Sequence, residues 1–272
     1  MVRTKIQRSS FYKKYPSLLF IAKWLSISGI VGLLVGSASA VFLVSLDWVG
    51  NFRESHLWMI ALLPLAGLAI GYSYYKWGQP VEAGNNLLID RIVNPSQERI
   101  PFRMAPMVLF GTLATHLFGG SAGREGTALQ MAGAISDQLT KPLKLNATDR
   151  KILLISAIAA GFGSVFGTPL AGAIFALEVV VIGKMKYDAI FPAFTAAILA
   201  NLATNMWNVG HTHYHIAEIP PISALNLGYT IAAGIAFGLT AAMFSKLNAG
   251  IGKAFISKIS YAPLRPFVGG IL

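Results

Sequence analysis

One carboxylate stands among glycines in the run Gly119-Gly120-Ser121-Ala122-Gly123-Arg124-Glu125-Gly126-Thr127. Apolar stretches flank the run on both sides, so Glu125 is expected at membrane depth, where a charge costs about 3 kcal/mol on insertion scales and is rare without a role. Glycines leave backbone N–H groups approachable, and a helix can start at Thr127. A helix N-terminus inside a membrane is a ready anion site. Glu125 is itself an anion tethered at that site. It can occupy the site, block it, or leave it on protonation, which is the physical outline of a gate in an anion pathway. The blander alternative is a loop carboxylate paired with Arg124 in the headgroup region. Glycine density and the short following helix favour the gate.

Other residue groups carry weaker chemistry. In Glu82-Ala83-Gly84-Asn85-Asn86-Leu87-Leu88-Ile89-Asp90, the Asn pair can cap a helix through a side-chain oxygen or donate an amide N–H to an anion. Without further context the pattern favours capping. The small residues Gly161, Gly163, Gly167, Ala171 and Gly172, with Thr168 and Pro169 among them, suit close helix contact, and Glu178 suits an ion pair with Lys184 or Lys186 at a helix end. His211, His213 and His215 alternate as metal ligands on an extended segment would, but Glu218 is the one acid near them, and an exposed loop is the simpler reading. His116 on an apolar stretch reads as a packed core histidine.

The elements that must position these residues follow from hydropathy. Residues 24–46 carry no charge and are long enough to span; 47–54 read as a short loop, 56–75 as a second span, 77–103 as amphipathic and 104–122 as a third span. The apolar run 127–136 is too short to cross a core of about 30 Å at about 1.5 Å per residue. Residues 152–177, interrupted by Gly161-Phe162-Gly163, Gly167 and Pro169, read as two short helices meeting at a bend. Residues 189–209 and 222–245 span again around a loop at 211–221, and 262–272 lead into a further helix. Short, Gly/Pro-interrupted apolar helices are the pattern of transporters that bind ions near the midplane. Their breaks must face protein or a water-filled path.

Composition supports a membrane protein. Of 272 residues, 54% are apolar and 12% charged, against about 25% charged in soluble domains. There is no cysteine, so disulfides are excluded. The net charge of +11 would suggest nucleic acid in a soluble protein. Here the basic residues sit between apolar spans, and detergent-dependent extraction is the expected behaviour. Arg3, Lys5, Arg8, Lys13 and Lys14 precede the first span, with Phe11, Tyr12 and Tyr15 as interfacial aromatics. Loops near 76–103, 140–151, 184–187 and 246–265 are basic, whereas 206–221 holds no Lys or Arg. The positive-inside rule then predicts a multi-pass plasma (inner) membrane protein with a cytoplasmic N-terminus. The first apolar stretch is too long for a signal-peptide core and lacks a small-residue cleavage site. Paired catalytic carboxylates, a nucleophile triad and a metal cluster are absent from the sequence pattern, so neither an enzyme nor a bound cofactor is expected.

These motifs together resemble the CLC family of chloride channels and anion–proton antiporters. Gly123-Arg124-Glu125-Gly126-Thr127 is similar to its GREGP/GKEGP signature, Glu82-Ala83-Gly84 followed by Asn85-Asn86-Leu87-Leu88-Ile89 sits where the family carries GSGIP, and Thr168-Pro169-Leu170-Ala171-Gly172 through Glu178 looks like its APLAG…E segment. The resemblance runs from about residue 16 to the end. It implies an all-α integral membrane fold of discontinuous, tilted helices, forming a homodimer with one pathway per subunit. It implies that Glu125 is the external gating and proton-carrying glutamate. It also implies that Asn86, in place of the GSGIP serine, contacts the anion together with Gly123, Arg124, Gly126 and Thr127. Thr127 replaces the usual proline, and Val179 stands where chloride–proton antiporters place an internal proton glutamate. This combination looks like the fluoride-exporting branch, so fluoride or chloride and protons are the expected substrates and the lipid bilayer the setting.

The family's transport unit is two inverted halves. By resemblance, residues 1–15 form a basic interfacial segment, 16–221 the first repeat, and 222–272 the start of a second. The partner motif GxFxP and a late anion-contacting tyrosine are not present. The resemblance therefore implies an incomplete conduction site, as in a truncated product or a non-transporting assembly subunit.

Overall fold

Every described element of the chain is helical, as the apolar composition and the scarcity of alternating patterns require. The computed structural model describes residues 16–94, 98–180, 186–210 and 215–272. The basic segment from Arg3 to Tyr15, and Lys184, His211 and His213, lie outside the described residues. The helices are α1 (Pro16–Ser55), α2 (Leu63–Trp77), α3 (Asn85–Val93), α4 (Met104–Leu117), α5 (Arg124–Asp137), α6 (Ala147–Phe166), α7 (Pro169–Val179), α8 (Ile190–Met206), α9 (Ala224–Lys258) and α10 (Leu264–Ile271). Among the described residues, four segments are long and apolar enough to cross a membrane: Ser17–Ser55, Leu57–Trp77, Tyr187–Met206 and Ala224–Lys258.

The core is built around α6, which is enclosed along nearly its whole length from Ile152 to Val165. Helices α1, α3, α5, α7 and α8 pack against it. Small residues set the spacing, because lipid supplies no hydrophobic drive between helices and close van der Waals contact must do so. A Cβ at Gly36 of α1 would come 2.4 Å from the Ala200 carbonyl of α8, and one at Gly172 of α7 would come 2.6 Å from the Gly163 nitrogen of α6. Buried hydroxyls tie the same interfaces: Thr204 donates to the Gly36 carbonyl at 2.9 Å, Ser28 to the Pro192 carbonyl at 3.1 Å, and Ser164 to Ser39 at 2.8 Å. Helix α10 lies on α2, whereas α9 buries no side chain.

Two faces can be told apart. Lys23 near the start of α1 pairs with Asp149 at the start of α6, 2.7 Å away. The climb along α1 from Lys23 to Asp47 is about 36 Å, enough to cross an apolar core of about 30 Å. The start of α6 therefore marks a basic face, and the end of α1 marks the opposite one.

Several expected boundaries move. Residues 47–54 are helix, not loop: the end of α1 is held at i,i+4 spacing by Asn51 on Asp47 (3.4 Å) and by stacked rings of Trp48 and Phe52 and of Phe52 and His56. Such pairs offset the polarity of the sequence there. The third span is shorter than 104–122, because the chain turns at Gly119 with φ 80°, where the Gly120 N–H closes onto the Thr115 carbonyl at 2.8 Å. Gly161 and Gly163 do not bend α6; they face Ala128 of α5 and Pro169 at the start of α7. The break falls at Gly167, in the left-handed region with φ 68°. Lys246, Lys253 and Lys258 lie within α9 and not beyond it.

Candidate functional site

Glu125 is the second residue of α5, so that helix starts at Arg124 and not at Thr127. Gly123 caps it with an extended backbone (φ −79°, ψ 145°), and no side chain closes the helix start. The N–H groups of Gly123, Arg124, Glu125 and Gly126 thus lack intrahelical partners, and the positive end of the helix dipole lies there. The Glu125 carboxylate folds back over this end: a Cβ at Gly123 would come 2.7 Å from its Oε2. The missing side chain at Gly123 is what leaves room for it. No ion pair joins Glu125 to Arg124 among the described residues.

The far end of α5, Asp137, is anchored at the basic face by Arg150, 2.6 Å away. The first turn of α5 lies about 20 Å along the helix axis from that anchor. Glu125 is exposed in this chain.

A second helix start meets the first. Gly84, with φ 59° and ψ −130°, caps α3 without a side-chain bond; the left-handed φ there suits glycine. The Asn pair does not act as a side-chain cap, because Asn85 and Asn86 are already the first two helical residues. Asn85 reaches toward α5: a Cβ at Gly126 would come 3.4 Å from Asn85 Nδ2 and 3.6 Å from Gln130 Nε2. Gln130 Nε2 would also lie 3.3 Å from a Cβ at Gly84. Two helix starts and two carboxamides therefore converge between Gly84 and Gly126. Asn85 Oδ1 is enclosed without a hydrogen-bond partner, so its amine edge is the one turned toward Gly126. At its other end α3 offers the Val93 carbonyl to Lys151 of α6 at 3.3 Å. Helices α3 and α5 thus both run from the shared point to the basic face.

The remaining expected residues fall in different places. Asn86 is exposed. Thr127 is buried, and its hydroxyl is shared with Thr112 of α4 at 2.6 Å and with the Gly123 carbonyl at 3.3 Å, so it ties α4 to α5. Arg124 lines a cavity of about 500 Å³ on the face opposite the basic loops, with Asp47, Asn51 and Glu54 of α1, His116 of α4 and Asn208 after α8. His116 is therefore not packed in the core; its Nδ1 donates to the Thr112 carbonyl at 2.9 Å. Glu178 is exposed at the end of α7, with no ion pair to Lys186 among the described residues. Val179 packs against the core. No cluster of three or more His, Asp or Glu suited to a metal occurs among the described residues.

Gln130 was not expected from the sequence, and Asn85 only as one of an Asn pair that could cap a helix or donate to an anion. Gln130 carried a usable signal, since it lies one turn after Gly126 on the same helix face. Asn85 differs from Asn86 only in following Gly84 directly, and the backbone turn at Gly84 decides which of the two points inward.

This arrangement offers amide donors and helix-end dipoles to a small anion, and the Glu125 carboxylate lies over the same end of α5. The sequence model of the voltage gated chloride channel family matches residues 66–272. A chloride/fluoride channel protein of Pseudomonas syringae pv. tomato is 54% identical over 256 residues, covering 94% of this chain and 56% of that protein. An H(+)/Cl(-) exchange transporter ClcA of Cronobacter sakazakii is 28% identical, covering 85% of this chain and 52% of that protein. Among solved structures, a CLC-type fluoride/proton antiporter superposes with a TM-score of 0.87 at 30% identity, covering 92% of this chain and 63% of that one. A slow cyanobacterial Cl-/H+ antiporter shares the fold with a TM-score of 0.75 at 19% identity, covering 91% of this chain and 62% of that one. The chain spans about half the length of the curated relatives it matches.

Proposed function

The chain belongs to the voltage gated chloride channel family, and from that premise we propose that it serves proton-coupled exchange of fluoride or chloride across the plasma membrane, gated by Glu125. The observation that carries this reading is the convergence of the α3 and α5 starts beside a carboxylate held over unpaired N–H groups. Ionised, Glu125 fills the anion position and excludes the halide. Protonated, it loses its attraction to the helix ends and swings away, so anion entry and proton uptake share one event. Asn85 Nδ2 and the N–H groups at the start of α5 are the assigned donors. Fluoride is favoured because a small, strongly hydrated ion needs strong donors to replace its water. The chloride/fluoride and fluoride/proton relatives support the same choice. The basic loops support a cytoplasmic N-terminus, and the family resemblance supports a homodimer.

The test is efflux from liposomes containing the purified chain, with anion and proton movement recorded together. Glu125→Gln is expected to leave anion movement without coupled protons; unchanged proton-coupled exchange in that variant overturns the gate. A second reading, a membrane subunit that needs another polypeptide to complete its path, is favoured by α9, which buries no side chain. Absence of flux from the chain alone, with flux regained on adding that polypeptide, is its signature.

A further inference from the structure

The basic face holds a second charged site, built by a buried node that the gate does not use. Asp137 is fully enclosed and accepts from Arg150 at 2.7 and 2.6 Å, from the Ile100 N–H at 2.7 Å and from the Thr140 hydroxyl at 2.9 Å. Arg150 also donates to the Glu98 carbonyl at 2.9 Å, and Gln138 donates to the Ile100 carbonyl at 2.9 Å. The backbone on either side of Arg99 is therefore fixed. The same node fixes the turn after α5, where the Lys144 and Leu145 N–H groups close onto the Lys141 and Thr140 carbonyls at 3.1 and 3.0 Å. Lys144 sits there at φ 50°, a left-handed conformation that glycine adopts more easily.

The node orders two segments whose outward side chains share one cavity of about 580 Å³, lined by Arg99, Thr140, Lys141, Lys144 and Leu145. No acidic side chain lines it among the described residues. The nearest acid in sequence, Glu98, reaches Arg91 at 3.0 Å instead, and Asp137 is already matched by Arg150. Three like charges held on a fixed frame repel one another, which an anion between them would relieve. Phe102 and Leu143, 57% and 39% exposed, flank the cluster. Water-facing apolar side chains beside cations suit the boundary where headgroups meet acyl chains, and a free anion would gain nothing from them.

We propose that this cavity binds a phosphate-ester anion, supplied by the headgroup of an anionic phospholipid in the leaflet facing the basic loops. Such leaflets attract basic side chains near their surface, and basic pockets of membrane proteins hold lipid headgroups. The inference uses the membrane placement proposed above but not the gate at Glu125, and its test involves no anion flux.

The chain is purified in mild detergent and offered phosphatidylglycerol and phosphatidylcholine, and retained lipid is counted by native mass spectrometry. Wild type is expected to retain phosphatidylglycerol preferentially. The variant Arg99→Gln/Lys141→Gln/Lys144→Gln is expected to lose about 100-fold in that retention, and the control Lys246→Gln/Lys253→Gln/Lys258→Gln to keep it. The single variant Lys144→Gln, expected to lose about fivefold, carries the test should the triple variant not fold. Equal retention by wild type and site variants, or an equal loss in the control, overturns the site. Displacement of phosphatidylglycerol by an excess of inorganic phosphate overturns the lipid assignment in favour of a free anion.

Discussion

Replacing Asn85 by leucine separates binding from folding, because the two effects have opposite signs. The side chain presents Nδ2 toward Gly126 while its Oδ1 is enclosed without a donor. A hydrogen bond to a charged partner is worth about 1.5–3 kcal/mol, so losing Nδ2 weakens fluoride binding by about 10- to 150-fold. An enclosed, unpaired carbonyl costs about 1–3 kcal/mol. Leucine, similar in size, removes that cost, and Asn85 is only half-buried, so little packing is disturbed. Asn85→Leu is therefore expected to bind fluoride much more weakly and to be as stable as wild type or up to about 2 kcal/mol more stable. Isothermal titration with sodium fluoride and thermal unfolding in the same detergent measure the two quantities. Fluoride affinity within about twofold of wild type, less than 0.5 kcal/mol by the usual conversion, removes Asn85 from the site. A clear loss of stability shows instead that Oδ1 has a donor and that the amide is structural.

Asn86, exposed beside it, gives the paired expectation: Asn86→Ser leaves fluoride-over-chloride preference unchanged in flux assays, whereas Asn85→Ser shifts it. Gly161→Ala sets a Cβ 2.8 Å from Ala132 Cβ and 2.9 Å from the Ala128 carbonyl. The α5–α6 contact cannot yield there, so a loss of about 1–3 kcal/mol is expected in chemical denaturation. Arg150→Met removes the cation paired with the enclosed Asp137. Thermal unfolding is expected to register a loss of about 3–5 kcal/mol, part of which the double variant Arg150→Met/Asp137→Leu regains.

Much of the architecture was legible in residue order. Uncharged stretches marked the apolar helices, since hydropathy acts locally along the chain. Glu125 stood out because a lone carboxylate among glycines has few structural uses, and it lies in the first turn of α5. Helix ends were less legible. Residues 47–54 read as polar loop, but Trp48, Phe52 and His56 stack one turn apart, and such pairing is visible only once a helix is assumed. Gly161 and Gly163 read as a hinge because isolated glycines weaken helices; against Ala128 and Pro169 they are contact points instead.

The sequence by itself determined the family, the all-helical membrane fold and the carboxylate at the start of α5, because composition and a short contiguous motif carry each of them. Only the tertiary structure decided what that carboxylate meets. Residues 84–86 and 123–130 are about 40 positions apart in the chain, and their meeting depends on two helix ends being pinned to the start of α6 by Lys151 and Arg150. It also decided that Asn85 and not Asn86 turns inward, because the backbone angle at Gly84 sets the direction of the helix that follows. Spacing along the chain cannot encode either outcome: both arise from contacts between segments distant in sequence.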